Sequence, residues 1–202
     1  MNAAALAQAH RADFETIARC IEPGAKVLDL GCGDGSLLAF LKEARQAWGY
    51  GVEIDDEKIL ASVANGVNVI QMDLEAGLST FESHSFDYVI LSQTLQSMKN
   101  TEGIVREMLR VAKQAIVTFP NFGYWHHRLQ VFGGHMPVSP DLPYQWYDTP
   151  NIHLCTLKDF EGFCANHGVH ILERIVMHRG AAVNLLPNLL GSLAVYRLER
   201  LA

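Results

Sequence analysis

The segment VLDLGCGDGSLL, Val27 to Leu38, is an apolar run that passes through three glycines at alternate positions and resumes as an apolar face. Glycine lets a backbone bend sharply and approach a ligand without a Cβ in the way. A helix that begins just after such a turn also offers unpaired N–H groups to an anionic part of that ligand. The pattern is D-x-G-x-G-x-G, on Asp29, Gly31, Gly33 and Gly35. The G-x-G-x-x-G spacing that cradles a pyrophosphate is different. Neither glycine pattern identifies a ligand alone.

The surrounding acids narrow the choice. Glu53 ends the second strand pattern, about 20 residues past the glycines, where a carboxylate can accept bonds from ribose hydroxyls. Asp73 ends the third, in QMDLE. Asp29, Asp34, Glu53 and Asp73 all fall near the carboxyl edge of one sheet, and these motifs contain no basic residue. A pyrophosphate would be repelled there, whereas a ligand with net positive charge would be held. S-adenosylmethionine, with its sulfonium, ammonium and carboxylate, meets that requirement.

Outward from the turn, strand patterns (KVLDL, GYGVEI, VNVIQ, FDYVIL, QAIVTF) alternate with helical ones (LLAFLKEA, DEKILASVA, TEGIVREMLRVA). That alternation implies a parallel sheet with helices on both faces and right-handed crossovers. Before it, Phe14, Ile17, Ala18 and Ile21 recur at helical spacing until EPG breaks the pattern. After it comes an aromatic-rich insertion, 119–155, with several prolines and no clear periodicity. A stretch of that length inside one domain is functional or disordered, and its Trp and Tyr content argues against disorder. TLKDFEGFCANHG reads as a helix with a capping box on Thr156 and Asp159. HILERIVM and LAVYRLER read as two closing strands. No linker divides residues 1–202, so one domain is expected.

Bulk properties exclude several classes. Of 202 residues, 16 are Lys or Arg and 22 are Asp or Glu, for a net charge of -6. Nucleic acid and anionic membrane surfaces need clustered positive charge, and no such run exists. The longest apolar stretch, AAVNLLPNLLGSLAVY, is interrupted by Asn184, Pro187 and Asn188, so no membrane span is expected. The Ala-rich start carries His10, Arg11 and Asp13 where a secretory signal needs an unbroken apolar core. Cys20, Cys32, Cys155 and Cys164 form no C-x-x-C pair, which fits reduced thiols and a cytoplasmic location. His126 and His127 are adjacent and point apart in regular structure. His153 and Cys155 supply two donors where a closed site needs four, so no metal site is expected.

Over nearly its whole length the sequence resembles the class I S-adenosylmethionine-dependent methyltransferases, and within them the MetW family of methionine biosynthesis proteins. The closer likeness lies in RADFETIARCIEPGAKVLDLGCGDGSLL, YGVEID, ILSQTLQ, VTFPNFGYWHHRLQ, PYQWYDTPNIHLCTLKDF and LPNLLGSLAVYR. The resemblance implies a Rossmann-like α/β fold: a seven-stranded, mostly parallel sheet with helices on both faces and an antiparallel last strand. It implies S-adenosylmethionine or S-adenosylhomocysteine as ligand. Gly31, Cys32, Gly33 and Gly35 would lie against the methionine part, with Cys32 itself a small buried filler. Asp29 would meet the ammonium and Glu53 the ribose hydroxyls, with Ile54 beside it. Asp73, with Leu74, would serve the adenine, and Ser92 and Gln93 would face the donor methyl. Asp34 reads as an acid at a helix start rather than a ligand contact.

Methyl transfer needs alignment more than a nucleophile, so no catalytic residue is assigned. The position after the fourth strand reads LSQT, without the [N/D/S]-P-P-[Y/F] of nucleic-acid amino methyltransferases, and no Pro-Cys pair is present. The resemblance implies a partner, a MetX-like homoserine O-acyltransferase. This chain lacks the G-x-S-x-G elbow to be that enzyme. Two roles stand: an activating subunit of the acyltransferase, or an active methyltransferase on a small molecule.

Overall fold

The computed structural model describes residues 12–201; the Ala-rich start lies outside them. The strands are β1 (Lys26–Leu30), β2 (Trp48–Glu53), β3 (Val69–Gln71), β4 (Phe86–Ser92), β5 (Ala112–Pro120), β6 (Val169–His178), β7 (Ala181–Ala182) and β8 (Leu193–Arg200). The helices are α1 (12–19), α2 (Ser36–Arg45), α3 (Asp56–Ala64), α4 (Thr101–Val111), α5 (Trp125–Phe132), α6 (Leu157–Asn166) and the one-turn α7 (Pro187–Leu190).

One sheet runs in the order β3-β2-β1-β4-β5-β8-β6-β7. The β1–β2, β1–β4, β2–β3 and β4–β5 pairs are parallel, and β8 inserts antiparallel between β5 and β6. The expected class and the antiparallel last strand are as observed, but the sheet has eight strands rather than seven. The addition is β7, two alanines returning on Met177 and His178 through a turn at Arg179 (φ 51°) and Gly180 (φ 80°). Two consecutive positive φ values match the twist of a tight hairpin. Ala-Ala carries no strand signature, so the sequence does not announce it.

The sheet buries both faces. Val27, Ile90, Ile116 and Val195 point to the side of α1 and α2, where Ile17, Ile21 and Leu41 close one core. Their chain neighbours Leu28, Leu91, Val117 and Tyr196 point to the side of α4 and α6, with Met108, Leu157 and Phe160. That alternation follows from the strand's two-residue period, and burial on both faces makes the strands continuous apolar runs. Phe119 and Tyr196 stack in parallel, centroids 5.7 Å apart.

Local signals set the helix ends. Asn100 accepts from Gly103 N at 2.9 Å to open α4. Asp55 accepts from the amides of Glu57 and Lys58 to open α3, and the capping box of Thr156 and Asp159 forms as read. The insertion departs from its aperiodic reading, because α5 forms within it. Its turn toward the protein carries His127, fully buried between Asn121 O (3.2 Å) and Ser139 Oγ (2.9 Å).

Gly51, in the middle of β2, illustrates how tightly the turn after β1 is seated. A Cβ there would collide with Cys32 Sγ. Gly51→Ala should therefore destabilise the fold by about 1–3 kcal/mol, the usual range for overpacking. Adding Cys32→Ala should restore much of the loss in chemical denaturation, and no restoration would mean the strain lies elsewhere.

Candidate functional site

The turn between β1 and α2 is built from three left-handed glycines, Gly31 (φ 71°), Gly33 (φ 59°) and Gly35 (φ 76°). Positive φ strains any residue with a Cβ, so the spacing of the motif is a backbone requirement. Gly31 N and Cys32 N both donate to Val52 O, at 2.8 and 3.0 Å, which ties the turn to the end of β2. Ser62 Oγ donates to Gly33 O at 2.8 Å and Asn65 Nδ2 to Asp34 O at 2.8 Å, tying it to α3. A Cβ on Gly33 would meet nothing within 4 Å, so its bare side faces open space.

Glu53, nearly buried at the end of β2, anchors this loop. Its Oε2 accepts from Gly33 N at 3.0 Å, and its Oε1 accepts from Ile54 N at 2.8 Å and Asp55 N at 3.1 Å. A carboxylate offers about four lone-pair sites, so one acceptor direction is left for a ligand.

Beside the turn lies a cavity of about 820 Å³. Of the residues singled out in the sequence, Asp29, Gly31, Cys32, Asp34, Ser92 and Gln93 line it. Gly33, Gly35, Glu53, Ile54, Asp73 and Leu74 are not part of its lining. Asp73 is exposed and caps the 3-10 turn Leu74–Ala76 by accepting from Glu75 N at 2.9 Å. Asp34 accepts from Ser36 N at 3.0 Å, the helix-start role expected of it. Cys32 is packed, 3.8 Å from Ser62 Oγ. Burial first, then Asp29, pushes its thiol up to about 11, so it is a neutral filler and no nucleophile.

The cavity also has walls that the sequence did not disclose: Asp13 and Phe14 of α1, and Ser36, Leu37, Phe40 and Glu43 of α2. The apolar face of α1 was legible, but nothing in the sequence says that its first turn reaches the carboxyl edge of β4. Gln93 makes that junction. It sits at φ 50° just after β4, its amide donates to Thr118 O and Oγ1 (both 3.0 Å), and its Nε2 donates to Asp13 Oδ2 at 3.4 Å. A non-glycine residue held in that region marks local strain of the kind found at ligand sites.

Asp29 is the electrostatic centre. It is 2% exposed and lies in the wall of the cavity. Burial, reinforced by the charge of Glu53, raises it from its ordinary 3.8 to about 7. Burial, then Asp141 of the insertion, raises Asp13 to about 7 as well. A cavity walled by two such groups disfavours anions and gains from a bound cation.

A raised carboxyl holds its proton in the folded state where the unfolded chain has released it, so stability falls as pH rises from about 4 to about 7. Asn at position 29 cannot ionise. Melting measured from pH 5 to pH 8 should fall less for Asp29→Asn than for the wild type. Parallel slopes would show that Asp29 is not the titrating group.

The sequence model of one family, described as "Methionine biosynthesis protein MetW", matches residues 11–198. A bifunctional methionine biosynthesis protein MetXA/MetW from Rhodopirellula baltica is 39% identical over 173 residues, which cover 81% of this chain and 28% of that one. The chain thus spans less than a third of that relative's length. An S-adenosylmethionine-dependent methyltransferase of Thermotoga maritima, described as a possible histamine N-methyltransferase, superposes with a TM-score of 0.71 at 16% identity, covering 97% of this chain and 91% of the other. Magnesium protoporphyrin IX methyltransferase from Synechocystis, solved with bound S-adenosylhomocysteine, gives 0.66 at 19% identity, covering 99% and 88%. At these identities the two structures establish the fold alone.

Proposed function

The chain belongs to the MetW family, and from that premise we propose that it is an S-adenosylmethionine-binding partner of a homoserine O-acyltransferase in methionine synthesis. The observation that carries the partnership is the Rhodopirellula relative, a single chain named for both MetXA and MetW. We read its MetXA portion as the acyltransferase. Joining two modules makes their encounter intramolecular, which is useful to proteins that work in contact. Where the modules are separate chains, the same contact needs a surface of its own.

The ligand half of the reading rests on Asp29, a buried carboxylate in the cavity wall beside a glycine turn. The ammonium of S-adenosylmethionine would meet Asp29, and its methionine portion would lie along Gly31, Cys32, Gly33 and Gly35. Glu53 would give its remaining acceptor direction to the ribose hydroxyls. Asp73 would turn its exposed carboxylate to the adenine amino group, with Ile54 and Leu74 flanking the ring. Ser92 and Gln93 would border the sulfonium methyl. Bound there, the cofactor supplies a positively charged methyl donor; its demethylated product lacks that charge, so the acidic cavity favours the donor.

Methylation of a small molecule is the second reading, favoured by a cavity that reaches Ser92 and Gln93. Formation of S-adenosylhomocysteine on incubation with a small-molecule extract supports it; association with the acyltransferase in the absence of turnover supports the first.

Titration calorimetry with S-adenosylmethionine tests the site. Glu53→Ala should weaken binding at least tenfold, since a hydrogen bond to a charged group is worth about 1.5–3 kcal/mol. Gly33→Val should abolish it, because a side chain there enters the open space the ligand needs. Wild-type affinity in both folded variants would remove the ligand assignment. A purified homoserine O-acyltransferase that fails to associate with the wild-type protein would remove the partnership.

A further inference from the structure

Helix α5 presents its apolar side to solvent. Trp125, Leu129 and Phe132, at i, i+4 and i+7, share one face. They are 42%, 57% and 92% exposed, while the opposite side carries the fully buried His127. An amphipathic helix in a free-standing domain buries the apolar stripe and exposes the histidine. Here the reverse is pinned in place: His127 is bonded at both ring nitrogens, and Gln130 exchanges two hydrogen bonds with the backbone of Val138, at 3.0 and 2.8 Å. The outward face is therefore a fixed feature of the fold.

The patch continues along the insertion. Met136 follows one helical turn's length after Phe132, and Met136, Tyr144, Trp146 and Leu154 border one shallow depression. Trp146 and Tyr147 meet edge to face at 5.6 Å and are 72% and 71% exposed. At about 200 Å² per aromatic side chain, Phe132, Trp146 and Tyr147 alone offer on the order of 450 Å². With Trp125, Leu129 and Met136 the exposed apolar side chains of the insertion together approach the ~800 Å² that each side of a stable interface contributes.

Beneath it lies an apolar cavity of about 460 Å³. Leu142 and Leu154 line both the depression and this cavity, so the two are neighbours. Gln96, in its wall, donates through Nε2 to Gln93 O, but its buried Oε1 has no partner. A concave apolar pocket with one unsatisfied acceptor, set in an exposed aromatic field, is the form of an interface hot spot.

We propose that α5 and the adjoining insertion, Trp125 to Leu154, are the docking surface for the homoserine O-acyltransferase, which places an apolar side chain in the cavity lined by Leu142 and Leu154. The identity of the occupant rests on the partnership proposed above, and so on a relative that carries both modules in one chain. The area is that of a standard heteromeric interface. Among the described residues nothing covers it.

The test uses the purified full-length protein, the purified acyltransferase and two variants, Leu129→Asp with Phe132→Asp, and Trp146→Ala. All three side chains are exposed, so both variants should melt near the wild type and keep its affinity for S-adenosylmethionine. Association measured by calorimetry should weaken at least tenfold in each. Wild-type affinity in both variants would overturn the surface while leaving the partnership intact. Absence of association in the wild type itself would overturn the partnership, and the surface with it. Loss in the variants of a homodimer or of vesicle binding shown by the wild type, with acyltransferase binding unchanged, would assign the patch to that other occupant and overturn the proposal.

Discussion

The carboxylate of Glu53 gathers three backbone N–H groups from two loops, and the geometry of the site depends on that gathering. Gly33, at the apex of the glycine turn, and Ile54 and Asp55, at the exit from β2, share one side chain. Without it, three left-handed glycines would leave the turn free to take many shapes, since glycine has the most conformational freedom to lose. With it, the turn stands at a fixed height above the sheet edge, and α2 starts in a fixed direction. Val52 O, accepting from Gly31 and Cys32, holds the same loop one residue earlier. A charged acceptor makes stronger bonds than a neutral one, which suits a loop in which Cys32 is the one packed side chain among three glycines.

Most of the sheet was legible because it is buried on both faces. Strand segments such as Val89–Leu91 and Ala115–Val117 are apolar at every position, and Val27–Leu30 is so except at Asp29; that continuity is visible without coordinates. The motif D-x-G-x-G-x-G was legible for a related reason: left-handed backbone at three alternate positions admits little besides glycine. Cys32 packs as a small filler and Asp34 sits at a helix start, as read. Asp13 was not legible, because its place at the cavity is set by how α1 crosses the sheet and by a hydrogen bond from Gln93, 80 residues away. The strand β7 escaped notice because it depends on the turn at Arg179 and Gly180, not on its own two alanines.

The insertion shows a different limit. Its helix α5 was not read from the sequence, and in the structure its apolar residues Trp125, Leu129 and Phe132 share one face that turns outward. The buried position belongs to His127, which two hydrogen bonds make acceptable in the interior, and Phe132 is left in water. Periodicity tells which residues share a face; it does not tell which face turns inward. Only the partners of His127 and Gln130 decide that.

Burial and then the charge of Asp141, in the insertion, raise the pKa of Asp13 of α1, and Gln93 bonds to Asp13 from the end of β4. One loop thus carries both an acid whose charge acts on Asp13 of the cavity wall and the exposed aromatic side chains. Any shift of that loop that accompanies docking alters the charge seen by a bound cation. Thermodynamic reciprocity then applies: the factor by which a docked protein changes affinity for the small ligand equals the factor by which that ligand changes affinity for the protein. A chain so arranged would report the level of a cationic metabolite as a change in the lifetime of a complex, without moving a bond in either molecule.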